Sequence, residues 1–217
     1  MSYEAIIFDL DGTLLDTLTD IAAAMNRVLA ARGLPAHPAR DYRFFVGNGM
    51  AELARRALPE DCRDAVTIDS ALNAMRGEYA RCWAESSKPY PGVRALLEDL
   101  TARGLKLGVL SSKPDEFARL MVERLLPGIN FDAVVGATCP ALIKPDPTNA
   151  LAMAAGFGVS PAAMLFVGDS AVDIETARRA GMHPVGVTWG FRPRAELIAA
   201  GALSLIDRPA ELLELLR

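Results

Sequence analysis

Five short apolar runs, near residues 5–10, 106–111, 132–136, 163–168 and 184–188, constrain the fold more than any other feature of this chain. Each is rich in Val, Ile, Leu and Phe and too short for an ordinary helix, so each reads as a strand buried on both faces. Helical patterns fill the intervals at 93–103, 115–126, 148–156 and 171–181. Strands alternating with helices imply right-handed crossovers and a parallel sheet covered on both sides, a doubly wound α/β fold. The punctuation agrees: Pro91-Gly92 precedes one helix, Ser160-Pro161 reads as an N-cap with proline at N1, and Gly104 and Gly181 close two others. The tail from Pro193 reads as a helix, a short strand at 203–206 and a final helix.

One stretch breaks the alternation. Between residues 17 and 88 apolar side chains recur at helical spacing (Ile21, Met25, Val28, Leu29; then Met50, Leu53, Ala54, Leu58; then Leu72, Met75, Tyr79, Trp83) with no strand between them. The expected organisation is therefore an α/β core domain of residues 1–16 and 89–217, with a helical domain of residues 17–88 inserted after the first strand.

The strand ends carry the chemistry. The first run closes in Asp9-Leu10-Asp11-Gly12-Thr13, and carboxylates at i and i+2 leave a strand on the same face. Such a pair is placed to divide the roles of nucleophile and proton carrier. Asp16 follows closely, and three acids at the mouth of one buried strand raise each other's pKa unless a positive group sits among them, which predicts a metal ion. Asp16 itself has two readings, ordering the site or capping the next helix at its hinge. Three more endings fall along the same edge, where doubly wound folds bind ligands: Ser111-Ser112-Lys113, the loop Lys144-Pro145-Asp146-Pro147, and Gly168-Asp169-Ser170-Ala171-Val172-Asp173.

Composition narrows the classes. A net charge of −4 offers no footprint for nucleic acid, and no apolar run reaches the ~18 residues of a membrane span. Lysine occurs only at positions 88, 106, 113 and 144, so Lys113 and Lys144 stand out by falling in the strand-end motifs. Cys62, Cys82 and Cys139 are odd in number and lack metal-ligand spacing, which fits a reducing compartment. The N-terminal stretch has no basic n-region and contains the proposed nucleophile, so the expected location is cytoplasmic.

Taken in order from Asp9 to Asp173, these motifs resemble those of the haloacid dehalogenase superfamily, and within it the small phosphatases of the phosphoglycolate phosphatase type. The resemblance implies the superfamily's Rossmann-like core with the 17–88 insertion as its helical cap. It implies Mg²⁺ held by Asp9, the backbone carbonyl of Asp11 and Asp169, with Asp173 as a further ligand or as a residue supporting them. It also implies Asp9 as nucleophile, forming an aspartyl-phosphate, Asp11 as the acid and base, and Lys144 as the fixed positive charge beside the nucleophile. Ser111, Ser112 and Lys113 correspond to the phosphate-binding motif, which in related phosphatases is Thr-Asn-Lys, so Ser112 departs from the pattern. Gly47-Asn48-Gly49 is similar to the family's cap loop and reads either as a small-anion site or as a tight interhelical turn. Arg43, Arg55 and Arg56 flank it, to meet a substrate carboxylate or simply to face solvent.

Neighbouring activities fit less well. Asp11 favours phosphoryl transfer over dehalogenation. No lysine precedes Lys88 to form the Schiff base of phosphonatases, and Ile21 stands where similar sugar phosphomutases place a histidine. The expectation is a Mg²⁺-dependent phosphatase acting on a small phosphate ester, 2-phosphoglycolate first. The same scaffold also serves pyrophosphatases and sugar-phosphate phosphatases, and a non-catalytic phosphate-binding regulator is the alternative from a different class. No nucleic acid or membrane partner is expected, and the sequence is compatible with a monomer or a homodimer.

Overall fold

The computed structural model describes residues 3–216. Its strands are β1 (Ala5–Phe8), β2 (Leu15–Asp16), β3 (Lys88–Pro89), β4 (Lys106–Pro114), β5 (Ala133–Ala137), β6 (Met164–Gly168), β7 (His183–Val187) and β8 (Ser204–Ile206). Its α-helices are α1 (Leu18–Ala31), α2 (Met50–Ala57), α3 (Ala65–Cys82), α4 (Val93–Ala102), α5 (Asp115–Leu125), α6 (Thr148–Phe157), α7 (Ala171–Ala180) and α8 (Arg194–Ala200). Six strands form one parallel sheet in the order β5-β4-β1-β6-β7-β8. Chain order runs outward in both directions from the β1/β6 pair, the switch point at which such sheets open a crevice beyond their carboxyl ends.

The continuous apolar character of β1 follows from its place at the centre. Ile6 and Phe8 point to one face and pack with Leu107, Val109, Leu165, Val167 and the α4 residues Leu96, Leu97 and Leu100. Ala5 and Ile7 point to the other, against Phe166, Met153, Ala154 and Ala177. With both faces covered, no position of the strand can be polar. Burial of each large side chain stabilises the fold by roughly 1.5–3 kcal/mol.

Three of the expected boundaries shift. β4 does not stop near residue 111 but continues to Pro114, because Ser111, Ser112 and Lys113 are buried despite their polar type. Ser160-Pro161 starts only a single 3-10 turn, Pro161–Ala163, since β6 begins at Met164. The expected last helix is a 3-10 segment, Pro209–Glu214.

Residues between β2 and β3 form α1, α2 and α3 with short 3-10 turns, and they build an apolar cluster of their own around Met25, Leu29, Tyr42, Leu53 and Met75. The two crossings into this insertion are stitched together. β2 pairs antiparallel with β3, Leu15 opposite Pro89 and Asp16 opposite Lys88. One turn into α1, the buried Asp20 carboxylate accepts from Ser87 N at 2.8 Å, from Ser87 Oγ at 2.7 Å and from Ser86 N at 3.0 Å. Among the described residues no helix is long and apolar enough to cross a membrane.

Candidate active site

The carboxyl edge of the sheet and the inner face of the helical insertion enclose a small cavity, about 50 Å³ of space open to the centre of a water molecule. Asp9 enters it from the end of β1, Ser111 to Lys113 from β4, Lys144 from the loop after β5, and Asp169 and Ser170 from the end of β6. The tight turn that places Asp11 depends on glycine. Gly12 has φ +87° and a Cβ there would collide with the Asp169 carboxylate, so no other residue fits without moving the site.

Asp9, Asp169 and Asp173 each bring a carboxylate oxygen within 4.8 Å of the others, and all three are buried. Lys144 Nζ lies 2.7 Å from Asp9 Oδ1 and 2.6 Å from Asp173 Oδ1. Asp173 has both oxygens engaged, since its Oδ2 accepts from Ser170 N at 3.0 Å and Ser170 Oγ at 2.6 Å as the capping box of α7. It holds Lys144 and Ser170 in place rather than facing the cavity. Asp169 is oriented from the other side by Phe191 N at 2.6 Å and Thr13 Oγ1 at 3.5 Å.

The charge balance is unfavourable to ionised acids. Burial, only partly offset by Lys144, pushes Asp9 up to about 7, with Asp173 and Asp11 adding repulsion. Asp169 is raised well above the usual carboxylate range by burial and by the charges of Asp173 and Asp9. Burial disfavours the charge on Lys144, yet its pKa is raised, because Asp173 and Asp9 outweigh desolvation. A hard cation with oxygen ligands fits this donor set of Asp9, Asp169 and Asp173, of which Asp9 and Asp169 line the cavity.

Asp11 stands in a separate network. Its Oδ1 accepts from Thr17 Oγ1 at 2.7 Å and pairs with Lys113 Nζ at 3.0 Å. Lys113 also donates to Tyr79 Oη at 2.8 Å, linking helix α3 of the insertion to the strand-end acids. Beside it, Ser112 lines the cavity, and its buried Oγ has no hydrogen-bond partner within the protein. A hydroxyl buried in this way needs a partner supplied by water or by a ligand.

Of the residues singled out in the insertion loop, Gly47 and Gly49 line the cavity, whereas Asn48 and Arg43 are not part of its wall. Asn48 Oδ1 is taken by Arg56 Nη2 at 2.9 Å, and Arg43 lies over the Phe44 ring. Asp16 sits in the β2–β3 ribbon. His37 and His183 bond to Ala57 O and to Tyr3 and Ser204, away from the cavity. Sequence reasoning assigns Tyr79 to a bundle core and gives Thr17 and Arg192 no role, yet Thr17 binds Asp11 and the other two line the wall.

With the geometry described, likeness to known proteins can be stated. A family model described as haloacid dehalogenase-like hydrolase matches residues 6–187. The chain is 34% identical to the phosphoglycolate phosphatase of Pseudomonas putida KT2440 over 205 residues, covering 93% of this chain and 75% of that protein. It is 35% identical to the phosphoglycolate phosphatase of Rhodospirillum rubrum, covering 96% and 89%. The crystal structure of a predicted phosphoglycolate phosphatase from Haemophilus somnus superposes with a TM-score of 0.91 at 29% identity, over 100% of this chain and 99% of that one.

Proposed function

The chain belongs to the haloacid dehalogenase-like hydrolases, and from that membership we propose a Mg²⁺-dependent phosphatase that works through a phosphorylated Asp9 on a small phosphorylated metabolite, 2-phosphoglycolate foremost. The observation that carries the reading is the buried carboxylate set around Lys144, with Asp9 and Asp169 raised by burial and by mutual repulsion that Lys144 offsets only in part. Asp9 and Asp169, with the main chain at Asp11, would hold the Mg²⁺. Bound there, the ion neutralises the carboxylates and the phosphate dianion and so makes their close approach possible.

The residues divide the reaction between them. An Asp9 oxygen forms a bond to phosphorus as the bond to the leaving oxygen breaks, and Asp11 gives that oxygen a proton. Water then attacks the phosphorylated Asp9, Asp11 takes its proton, and inorganic phosphate leaves with the Asp9 carboxylate restored. Lys113 and Thr17 keep the Asp11 carboxyl aimed through both steps. Lys144 holds a fixed charge at Asp9, while Ser112 Oγ and the main chain of Ser111 to Lys113 receive phosphate oxygens.

Residues 17–88 act as a cap on the two-stranded hinge at Leu15–Asp16 and Lys88–Pro89, opening to admit substrate and closing to exclude water. The small cavity and the likeness to two phosphoglycolate phosphatases favour a substrate of few atoms. Phosphate release from a panel of metabolite phosphates, with Mg²⁺ and with chelator, tests the proposal. The expected result is Mg²⁺-dependent release with 2-phosphoglycolate among the best substrates, and undiminished release in chelator would refute the metal requirement.

A further inference from the structure

We infer that Arg192, a residue of the sheet domain, determines specificity by binding an anionic group on the substrate's leaving portion while its guanidinium is held against the cap. The assignment rests on the phosphatase reading above and adds the residue that meets the charged end of such a substrate, a short leaving group carrying a carboxylate or comparable anion.

The cavity wall contains three cations, and two are committed. Lys144 is shared by Asp9 and Asp173, and Lys113 is paired with Asp11. Arg192 is paired more loosely. Its nearest carboxylate in an ion pair is Glu196, with Nε 3.7 Å from Oε1, too long for a hydrogen bond, although the Arg192 side chain is only 11% exposed. Burial lowers the guanidinium pKa, and the attraction of Glu196 and Asp169, reduced by the repulsion of Arg56 and Arg43, does not make up for it. A confined cation whose burial is incompletely compensated is stabilised by a ligand that brings an anion.

Its position is also fixed from both sides. The neighbouring Phe191 donates its N–H to Asp169 and packs its ring into the insertion's apolar cluster. Arg192 Nη2 donates to Val46 O at 3.0 Å and Phe44 O at 3.3 Å across the domain boundary, and the guanidinium lies over the Phe44 ring. Those two carbonyls lie in the chain just before Gly47 of the cavity wall. The part of the wall contributed by Ile21, Leu53, Met75 and Phe191 is apolar and offers no second anchor for a charged group. Arg43 and Asn48, outside the wall, cannot supply one without rearrangement.

The test compares 2-phosphoglycolate with ethyl phosphate, which matches it closely in size but lacks the acid group, by kcat/KM in the full-length protein with Mg²⁺. The unmodified enzyme should favour 2-phosphoglycolate, and Arg192→Met should lower that ratio about ten-fold or more, because a site built to pair an ion discriminates strongly against its absence. Arg192→Lys should restore part of the ratio, chiefly through KM, and supplies the comparison if Arg192→Met does not fold. Arg43→Met should shift the ratio less than either. Equal turnover of both esters by the unmodified enzyme, or an unaltered ratio in a folded Arg192 variant, would overturn the assignment of Arg192. Failure of the unmodified enzyme to hydrolyse any phosphate ester would instead overturn the phosphatase reading beneath it.

Discussion

Replacing Lys144 with methionine keeps the length of the stem and removes the ammonium that Asp9 and Asp173 share. The structure sets the size of the effect. The ammonium lies 2.7 and 2.6 Å from two carboxylates, with its side chain 3% exposed, so its loss leaves buried negative charge without compensation. Breaking a buried pair in this way costs about 3–5 kcal/mol. The cost must depend on pH, and its sign follows from the raised acids. Asp9, at about 7, and Asp169, higher than usual, keep protons in the folded state at pH values where the unfolded chain has lost them. The folded state therefore binds more protons between about pH 4 and pH 7, and stability falls as pH rises through that window. Removing Lys144 raises these acids further, so the variant should lie closest to the parent near pH 5 and furthest below it near pH 8. Urea denaturation at the two pH values, each with and without saturating Mg²⁺, reads the effect directly. Mg²⁺ should recover part of the loss at pH 8. A deficit of equal size at both pH values and indifferent to Mg²⁺ would refute the account of Lys144 as the charge partner of a metal-binding acid cluster.

The parent protein should itself gain more thermal stability from Mg²⁺ at pH 8 than at pH 5, because Asp9 must give up its proton to hold the ion; calorimetry showing an equal shift at both would count against Asp9 as a ligand. Asp20→Ala strands the N–H groups of Ser86 and Ser87 at the return crossing and should lower stability by roughly 2–4 kcal/mol. Hydrogen exchange should then quicken first at Ser86–Lys88, and a loss spread evenly over the sheet would contradict its role as the hinge clasp.

The doubly wound sheet is legible in the sequence because a central strand buried on both faces has to be apolar throughout, as Ala5 to Phe8 are. The acidic edge is legible because Asp9 and Asp11 follow directly on the apolar run of β1, and Asp169 on that of β6, although the strand and helix spacings expected of the pairs do not hold: Asp9 and Asp11 lie beyond β1 and Asp169 lies before α7. Lys144 is conspicuous through the scarcity of lysine. Other features carry no local signal. Ser111 to Lys113 are polar and read as the ending of a strand, and only the site they line explains why β4 extends through them. Tyr79 has the periodicity of a helix core, which its ring satisfies, while its hydroxyl reaches Lys113. Arg192 lies between Gly190 and Pro193, where an arginine is usually solvated. Its partners Phe44 and Val46 are distant in sequence and meet it only through the fold. Asn48 illustrates the converse, a residue conspicuous in its Gly-Asn-Gly setting whose side-chain oxygen is occupied by Arg56.

The central claim, phosphoryl transfer through Asp9, is tested most directly by trapping the intermediate. In Asp11→Asn, p-nitrophenolate still departs readily from p-nitrophenyl phosphate because it needs little protonation, while water attack on the phosphorylated enzyme slows for want of a base. Rapid acid quench with Mg²⁺ should show a burst of p-nitrophenol near one equivalent per active site, and peptide mapping should find the phosphoryl group on Asp9. The further change Asp9→Asn should abolish both. A phosphoryl group on any other residue, or sustained turnover by a protein carrying Asp9→Asn, would contradict the account.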